Sequence, residues 1–233
     1  MSAGFVPPAS VIRAVTFDVG GTLLQPWPSV GAVYAAVAAR HGARGLDAAW
    51  LEARFREEWR RLDGAFAHTR QAWAELVARV FAGVHPVGTD PAFFQDLFEH
   101  FATPTPWRVF PDVRPVIESL RRRGLRLGVV SNWDDRLRPL LGRLGLAARF
   151  DVILVSAEQG WRKPDPRLFH EAARRLGVRP RELLHVGDQP REDIEGARRA
   201  GCQALQVRRP AGAAGDRELV GRLGWLGRRQ HAR

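Results

Sequence analysis

The 233-residue chain has one cysteine, Cys202, so it cannot build an internal disulfide framework. It also lacks any apolar stretch near the roughly 18 residues that span a bilayer. No basic leader precedes an apolar segment at the start of the chain, and Pro7 and Pro8 interrupt the one candidate run there, so no signal peptide is expected. Together these absences predict a soluble, cytoplasmic protein with no membrane partner. Blocks of like charge are missing too. A net charge of +11, from 36 Lys+Arg against 25 Asp+Glu, raises the question of nucleic acid. The basic residues, however, come in pairs with one triplet at Arg121–Arg123, and acidic residues lie among them. That distribution reads as solvated helix faces in an arginine-rich composition, and no nucleic-acid partner is expected. Internal repeats and low-complexity tracts are absent, and nothing in the sequence sets an oligomeric state.

Two further scarcities point to chemistry. The basic residues include a single lysine, Lys163, and the chain has a single asparagine, Asn132. Where only positive charge is needed, this sequence uses arginine. A lone lysine therefore marks a place that needs a compact ammonium, which the guanidinium fork does not replace.

What is present follows two rhythms. Strand-like apolar runs occupy 11–17 (VIRAVTF), 125–130 (LRLGVV), 151–155 (DVILV), 183–186 (LLHV) and 202–207 (CQALQV). Between the later runs lie segments with helical spacing, carrying Val113, Val116, Ile117 and Leu120, then Leu137, Leu140, Leu141 and Leu144, then Leu168, Phe169, Ala172, Ala173 and Leu176. Strand–helix alternation with short connections predicts a mostly parallel sheet covered by helices on both faces. Residues 29–102 read as helices only. Ser29, Asp47, Thr69 and Asp90 are placed to cap four of them, each followed by apolar residues at 3.6-residue spacing. Aromatic residues crowd these helices and read as the core of a small bundle rather than a ligand box. The proline-punctuated 103–111 reads as a linker. The expected fold class is α/β, a Rossmann-like parallel sheet core at 1–25 and 108–233 with an inserted all-helical domain at 26–107.

In an open parallel sheet, ligands bind beyond the carboxyl ends of the strands. Asp18 follows the first strand in VTFDVGGTLL, and Ser131 and Asn132 end the second. Lys163 follows the third in EQGWRKPDP, and Asp188 ends the fourth in HVGDQPRED. Singly, each reads as a turn former or cap; their joint arrival at one sheet edge does not. Asp18 and Asp188, with Asp193 a helical turn beyond, form a hard oxygen cluster suited to Mg²⁺, and packed carboxylates need such a cation to neutralise them. Asp18 is then the candidate nucleophile toward an anionic phosphorus. Ser131, Asn132, Thr22 and the backbone N–H groups around Gly21 are candidates to bind phosphoryl oxygens. Lys163 is the candidate to neutralise developing charge.

Four stretches, DVGGTL at 18–23, VVSNWD at 129–134, GWRKPDP at 160–166 and HVGDQPRED at 185–193, resemble in this order the haloacid dehalogenase-like hydrolase superfamily. The resemblance covers essentially the whole chain, and SNWDDRL and GWRKPDPRLF carry a finer match to one branch. It implies a Rossmann-like core with a C1 cap that supplies substrate specificity. It implies Asp18 as a nucleophile forming an aspartyl-phosphate, with Ser131 and Lys163 holding the phosphoryl group. Mg²⁺ would be held by Asp18, the Gly20 carbonyl and Asp188, with Asp193 beside them. The implied partner is a small phosphorylated metabolite.

Gly20 departs from the pattern. In the family's phosphatases this position is usually a second aspartate, which protonates the leaving oxygen and later activates water. The loss of such an acid/base commonly removes roughly 10²–10⁴ in rate, far less than total phosphatase accelerations. The expected function is a Mg²⁺-dependent phosphatase weakened or specialised by Gly20, with acyl and aryl phosphates suffering least. Asp134 and Asp135 lie near in sequence but are more simply read as caps for the next helix. The alternatives are a 2-haloacid dehalogenase-type hydrolase, against which the extra carboxylates speak, and a non-catalytic phosphometabolite- or partner-binding protein.

Overall fold

The computed structural model describes residues 11–62, 66–209 and 218–223. Pro7, Pro8 and the outer ends of the expected core lie outside this range.

Five strands form one parallel sheet. In chain order they are β1 (Ala14–Phe17), β4 (Arg126–Ser131), β5 (Val152–Val155), β6 (Leu183–Gly187) and β7 (Gln203–Gln206). Their spatial order is β5-β4-β1-β6-β7. All five strand-like runs of the sequence are therefore strands, within three residues at each end. In register, Phe17 of β1 lies between Val129 of β4 and Val186 of β6. The tips of three neighbouring strands are thus side by side, although both partners of β1 lie more than 100 residues from it in sequence. The chain turns outward from β1 in opposite directions here, which opens the crevice where such sheets bind ligands.

Burial explains the layers. On one face Val15, Phe17, Leu127, Val129, Ile153, Val155 and Val186 pack with α5 (Val113–Arg122) and α6 (Leu137–Arg143). On the other, Ala14, Val130 and Leu154 pack with α8 (Pro166–Arg175) and α9 (Gly196–Arg199). The apolar positions that set the helical spacing are the ones that are buried: Val113, Val116, Ile117 and Leu120 on α5, and Leu168, Phe169, Ala172 and Ala173 on α8.

The segment after β1 leaves the sheet for four helices: α1 (Val30–Arg40), α2 (Ala48–Arg61), α3 (Arg70–Phe81) and α4 (Pro91–His100). Each expected cap makes its bond, with Ser29 accepting from Ala32 N, Asp47 from Ala49 N, Thr69 from Ala72 N and Asp90 from Ala92 N. These helices share their own apolar core, centred on Tyr34, Leu51, Leu76, Val80, Phe81 and Phe93.

One element departs from the sequence reading. Residues 103–111 are not only a linker: β3 (Trp107–Val109) pairs antiparallel with β2 (Leu24–Pro26). This ribbon staples together the two chain segments that enter and leave the helical insertion. Pro26 is tolerated there because a two-stranded ribbon is all edge.

Candidate active site

Asp18 is the first residue past β1 and is only 7% exposed. Its Oδ1 accepts from Lys163 Nζ at 2.6 Å and from Ser131 Oγ, the last residue of β4, at 2.9 Å. Both donors engage the same oxygen, leaving Oδ2 as the one they do not touch. The Lys163 ammonium is 1% exposed and also bonds Asp193 Oδ1 at 2.5 Å. Burial opposes its charge, but the two carboxylates hold its pKa above the ordinary lysine value. The one lysine of the chain is therefore a shared, buried counter-ion, a role suited to a compact ammonium.

Asn132 explains how the lysine is aimed. Its Oδ1 accepts from the Lys163 backbone N–H at 2.8 Å, and its Nδ2 donates to the Lys163 carbonyl at 3.0 Å and to Glu192 Oε2 at 3.0 Å. The amide is committed to the lysine-bearing loop rather than presented as a free donor.

Asp193 sits in a π-helical turn, Pro190–Glu195, of the wide kind often found at functional sites. Both of its oxygens are engaged: Oδ1 by Lys163 and by His185 Nε2 at 3.1 Å, and Oδ2 by Gln189 N–H at 2.9 Å. Despite burial, these partners hold its carboxyl well below the usual range. His185 is fully buried and its Nδ1 pairs with Thr16 Oγ1 at 3.0 Å. A chain of polar side chains thus runs under the sheet tips to Asp193.

Asp188 follows β6. One carboxylate oxygen each from Asp18, Asp188 and Asp193 can be chosen so that all lie within 4.8 Å of one another. Burial and the two neighbouring carboxylates push Asp188 up to about 8. Burial likewise raises Asp18, against the pull of Lys163. Gly21 makes this packing possible: its φ is +72°, and a Cβ there would lie 2.7 Å from Asp188 Oδ2. Thr22 is fully buried, and its hydroxyl makes a long 3.4 Å contact to Asp188 Oδ1. It faces the carboxylate, and it is not among the residues lining the cavity above.

That cavity, of about 800 Å³, lies between sheet tips and helical insertion, with Asp18, Gly20, Gly21, Ser131, Asn132 and Asp188 on its floor. A Cβ at Gly20 would stand 3.3 Å from Trp133 Cζ3, so an indole occupies the ground beside the missing side chain. Asp134 does not line the cavity. Its carboxylate takes Arg136 Nε at 2.8 Å, Arg136 Nη2 at 2.6 Å and Trp73 Nε1 at 2.9 Å. It fastens the helical insertion to the core, as do Arg136 Nη1 to the Phe98 carbonyl at 2.8 Å and Arg162 Nη1 to the Phe66 carbonyl at 2.5 Å.

Sequence reasoning assigned the insertion's aromatics to a bundle core, and part of that needs correction. Phe81 and Phe93 are core, but Tyr34, though buried, and the partly exposed Phe55, Trp59, Trp73, Phe94 and Phe101 line the cavity. Trp133, His185 and Glu192 were not singled out by the sequence; only their adjacency to the strand-end motifs marked them.

A buried aspartate paired with a buried lysine, and two further aspartates, thus meet at the tips of a parallel sheet, the arrangement expected of a hydrolase site. Residues 12–201 match the haloacid dehalogenase-like hydrolase family, and the chain belongs to it. It is 36% identical over 206 residues to human haloacid dehalogenase-like hydrolase domain-containing protein 3, covering 84% of this chain and 82% of that protein. It is 33% identical over 222 residues to the phosphoserine phosphatase of Thermus thermophilus, covering 85% and 89%. Among solved structures, a HAD phosphatase from Thermococcus onnurineus superposes with a TM-score of 0.65 at 28% identity, over 93% of this chain and 98% of that one. No helix among the described residues is long and apolar enough to cross a membrane.

Proposed function

We propose that the chain is a Mg²⁺-dependent phosphatase of small phosphorylated metabolites, specialised by Gly20 toward esters whose leaving groups need little protonation. In this reading residues 26–107 are the cap and 1–25 with 108–233 the catalytic core. The observation that carries the reading is the state of Asp18: one oxygen is fixed by Ser131 and Lys163 while the side chain reaches the cavity floor. A nucleophile held on one oxygen presents the other to an in-line phosphorus.

Asp18 Oδ2 attacks phosphorus and the ester P–O bond breaks. The leaving oxygen departs with the bonding pair and takes its proton from solvent. Water then hydrolyses the aspartyl-phosphate, releasing inorganic phosphate and restoring Asp18. Lys163 and Ser131 hold the phosphoryl oxygens, whereas the Gly21 N–H, a candidate donor in the sequence, is given to the Leu24 carbonyl at 2.9 Å. The donor set fits Mg²⁺: it is all oxygen, it is buried, and it carries more negative charge than Lys163 alone offsets. Asp18, the Gly20 carbonyl and Asp188 would hold the ion, with Asp193 oriented beside them by His185 and Gln189. When bound, it supplies positive charge between the nucleophile and the phosphate.

Two relatives bear phosphatase names, phosphoserine phosphatase and glyceraldehyde 3-phosphate phosphatase, which supports the reaction class. The test is hydrolysis of 4-nitrophenyl phosphate with Mg²⁺, with a chelator, and in Asp18→Asn. Turnover that vanishes under both changes is expected; turnover that survives both overturns the mechanism.

A further inference from the structure

The cavity above Asp18 is unlike a pocket built for a small polar metabolite. One wall is a run of stacked aromatics. Phe55 stacks on Trp59 at 5.8 Å between centroids, and Trp59 on Trp73 at 5.9 Å with planes only 16° apart. A second wall runs from Phe101 to Trp107 at 5.6 Å and on to Trp133 at 5.3 Å, next to Gly20. The two walls come from the helical insertion, from β3 and from the loop after β4. Trp59 is 37% exposed although a bundle core lies beside it. Large apolar side chains left open to a concave space mark a binding surface.

Several charged groups in the same walls already have partners. Glu52 accepts from Arg56 Nε at 2.9 Å and from Gly31 N–H at 2.9 Å. Arg136 is held by Asp134 and lies 3.4 Å over the Phe98 ring. A carboxylate or a row of hydroxyls on a substrate would meet mainly aromatic and apolar side chains along these two runs. A flat apolar group would meet complementary ones, since ring pairs favour offset or edge contacts at 4.5–7 Å.

We propose, building on the phosphatase reading, that this cavity is the leaving-group subsite and that it selects phosphate monoesters of large, flat phenols, meaning fused or linked aromatic rings. The two features of the floor then agree. Trp133 forms an apolar base beside Gly20, and a phenol, about as acidic as the tyrosine side chain at pKa about 10, leaves without the acid that Gly20 lacks. The Phe55–Trp59–Trp73 stack, with Trp59 partly exposed, offers its free ring surface and edges to the ring system, and the phosphate projects to Asp18.

The test compares phenyl phosphate with 2-naphthyl phosphate, whose parent phenols have similar acidity, on the full chain with Mg²⁺. The same two esters and inorganic phosphate are titrated into Asp18→Asn by calorimetry. The expected result is a KM, and a Kd in the variant, at least about 10-fold lower for the naphthyl ester, the scale on which apolar pockets discriminate added carbons. Trp59→Ala should bring the naphthyl value toward the phenyl one, and Trp59→Phe should keep most of the difference while reporting on folding. Equal KM and Kd for the two esters overturn the subsite, as does a preference that survives Trp59→Ala. Absence of turnover for every ester sinks the phosphatase reading alone, because the calorimetric preference still decides this one.

Discussion

Replacing Gly20 by aspartate tests whether the missing carboxylate or the indole beside it limits this site. The backbone accepts the change, since Gly20 is not among the glycines with positive φ. Space is the obstacle. The new Cβ would stand 3.3 Å from Trp133 Cζ3, tighter than ordinary contact, before any carboxylate atom is placed. Trp133 in turn packs on Trp107, and its backbone N–H donates to Ser156 Oγ at 3.1 Å, so the ring does not shift freely. A well-placed acid/base is worth about 10²–10⁴ in rate. A displacement of about 1 Å from productive geometry can remove about 10² of that. Gly20→Asp alone should therefore raise kcat/KM for an alkyl phosphate by no more than about 10²-fold. With Trp133→Leu added, the gain should approach the full range.

The assay is kcat/KM with Mg²⁺ for ethyl phosphate, whose alkoxide needs a proton, beside 4-nitrophenyl phosphate, whose phenolate does not. Gains should be confined to the alkyl ester, so the dependence of rate on leaving-group acidity flattens. A full gain with Trp133 in place would refute the steric argument. No gain on ethyl phosphate in the double variant would show that protonation is not what limits the enzyme.

Two other perturbations follow from the buried charges. Lys163→Met keeps the bulk but leaves Asp18 and Asp193 without their shared ammonium; breaking such a buried pair costs about 3–5 kcal/mol, or about 6–20 °C in Tm for a chain of this size. Thermal unfolding that moves by less than 2 °C (roughly half a kcal/mol) would mean the ammonium is not what offsets these carboxylates. His68 gives a pH signature: burial lowers it to about 4, against an ordinary value of 6.5. Above pH 6.5 both folded and unfolded chains hold it neutral; as pH falls toward 4 the unfolded chain takes the proton first, so up to about 3 kcal/mol of stability drains away across that window. His68→Asn, which tolerates the φ of +54° there, should flatten the pH 4–6.5 part of the urea-midpoint curve, and an unchanged curve would show that His68 is not the group responsible.

Much of the core was legible because its signals are one-dimensional. A strand run that stops at Asp18 or Ser131 announces a sheet tip, and four capping side chains announce four helix starts. The scarcity of lysine was as informative as any motif, since Lys163 is buried between two carboxylates. Other features needed three dimensions. The β2–β3 ribbon is three residues per strand, too short for a period-2 pattern to register. That the Asn132 amide pairs with the Lys163 backbone, 31 residues away, could not be read from its place at a strand end. Helical spacing shows that a face is apolar. It does not show whether that face meets another helix or an open cavity, so Phe81 and Trp73 on the same helix read alike and do different things.

The same limit bears on how Gly20 is understood. Read along the chain, it is a departure from the pattern the family resemblance implies, a glycine where a carboxylate is expected. Read in space, it is half of a pair. Without a Cβ at residue 20, Trp133 stands against the backbone two residues from Asp18 and carries the aromatic wall down to the cavity floor. An aspartate there would crowd the ring and place a charge beside an apolar indole, where an unpaired carboxylate is costly. The acid and the apolar floor thus compete for one position. A site with the floor suits leaving groups that bind through their rings and depart as stable anions; a site with the acid suits alcohols. The loss of general acid catalysis and the gain of an aromatic subsite are on this reading one structural choice, and restoring the carboxylate should cost affinity for aryl esters as it improves the hydrolysis of alkyl ones.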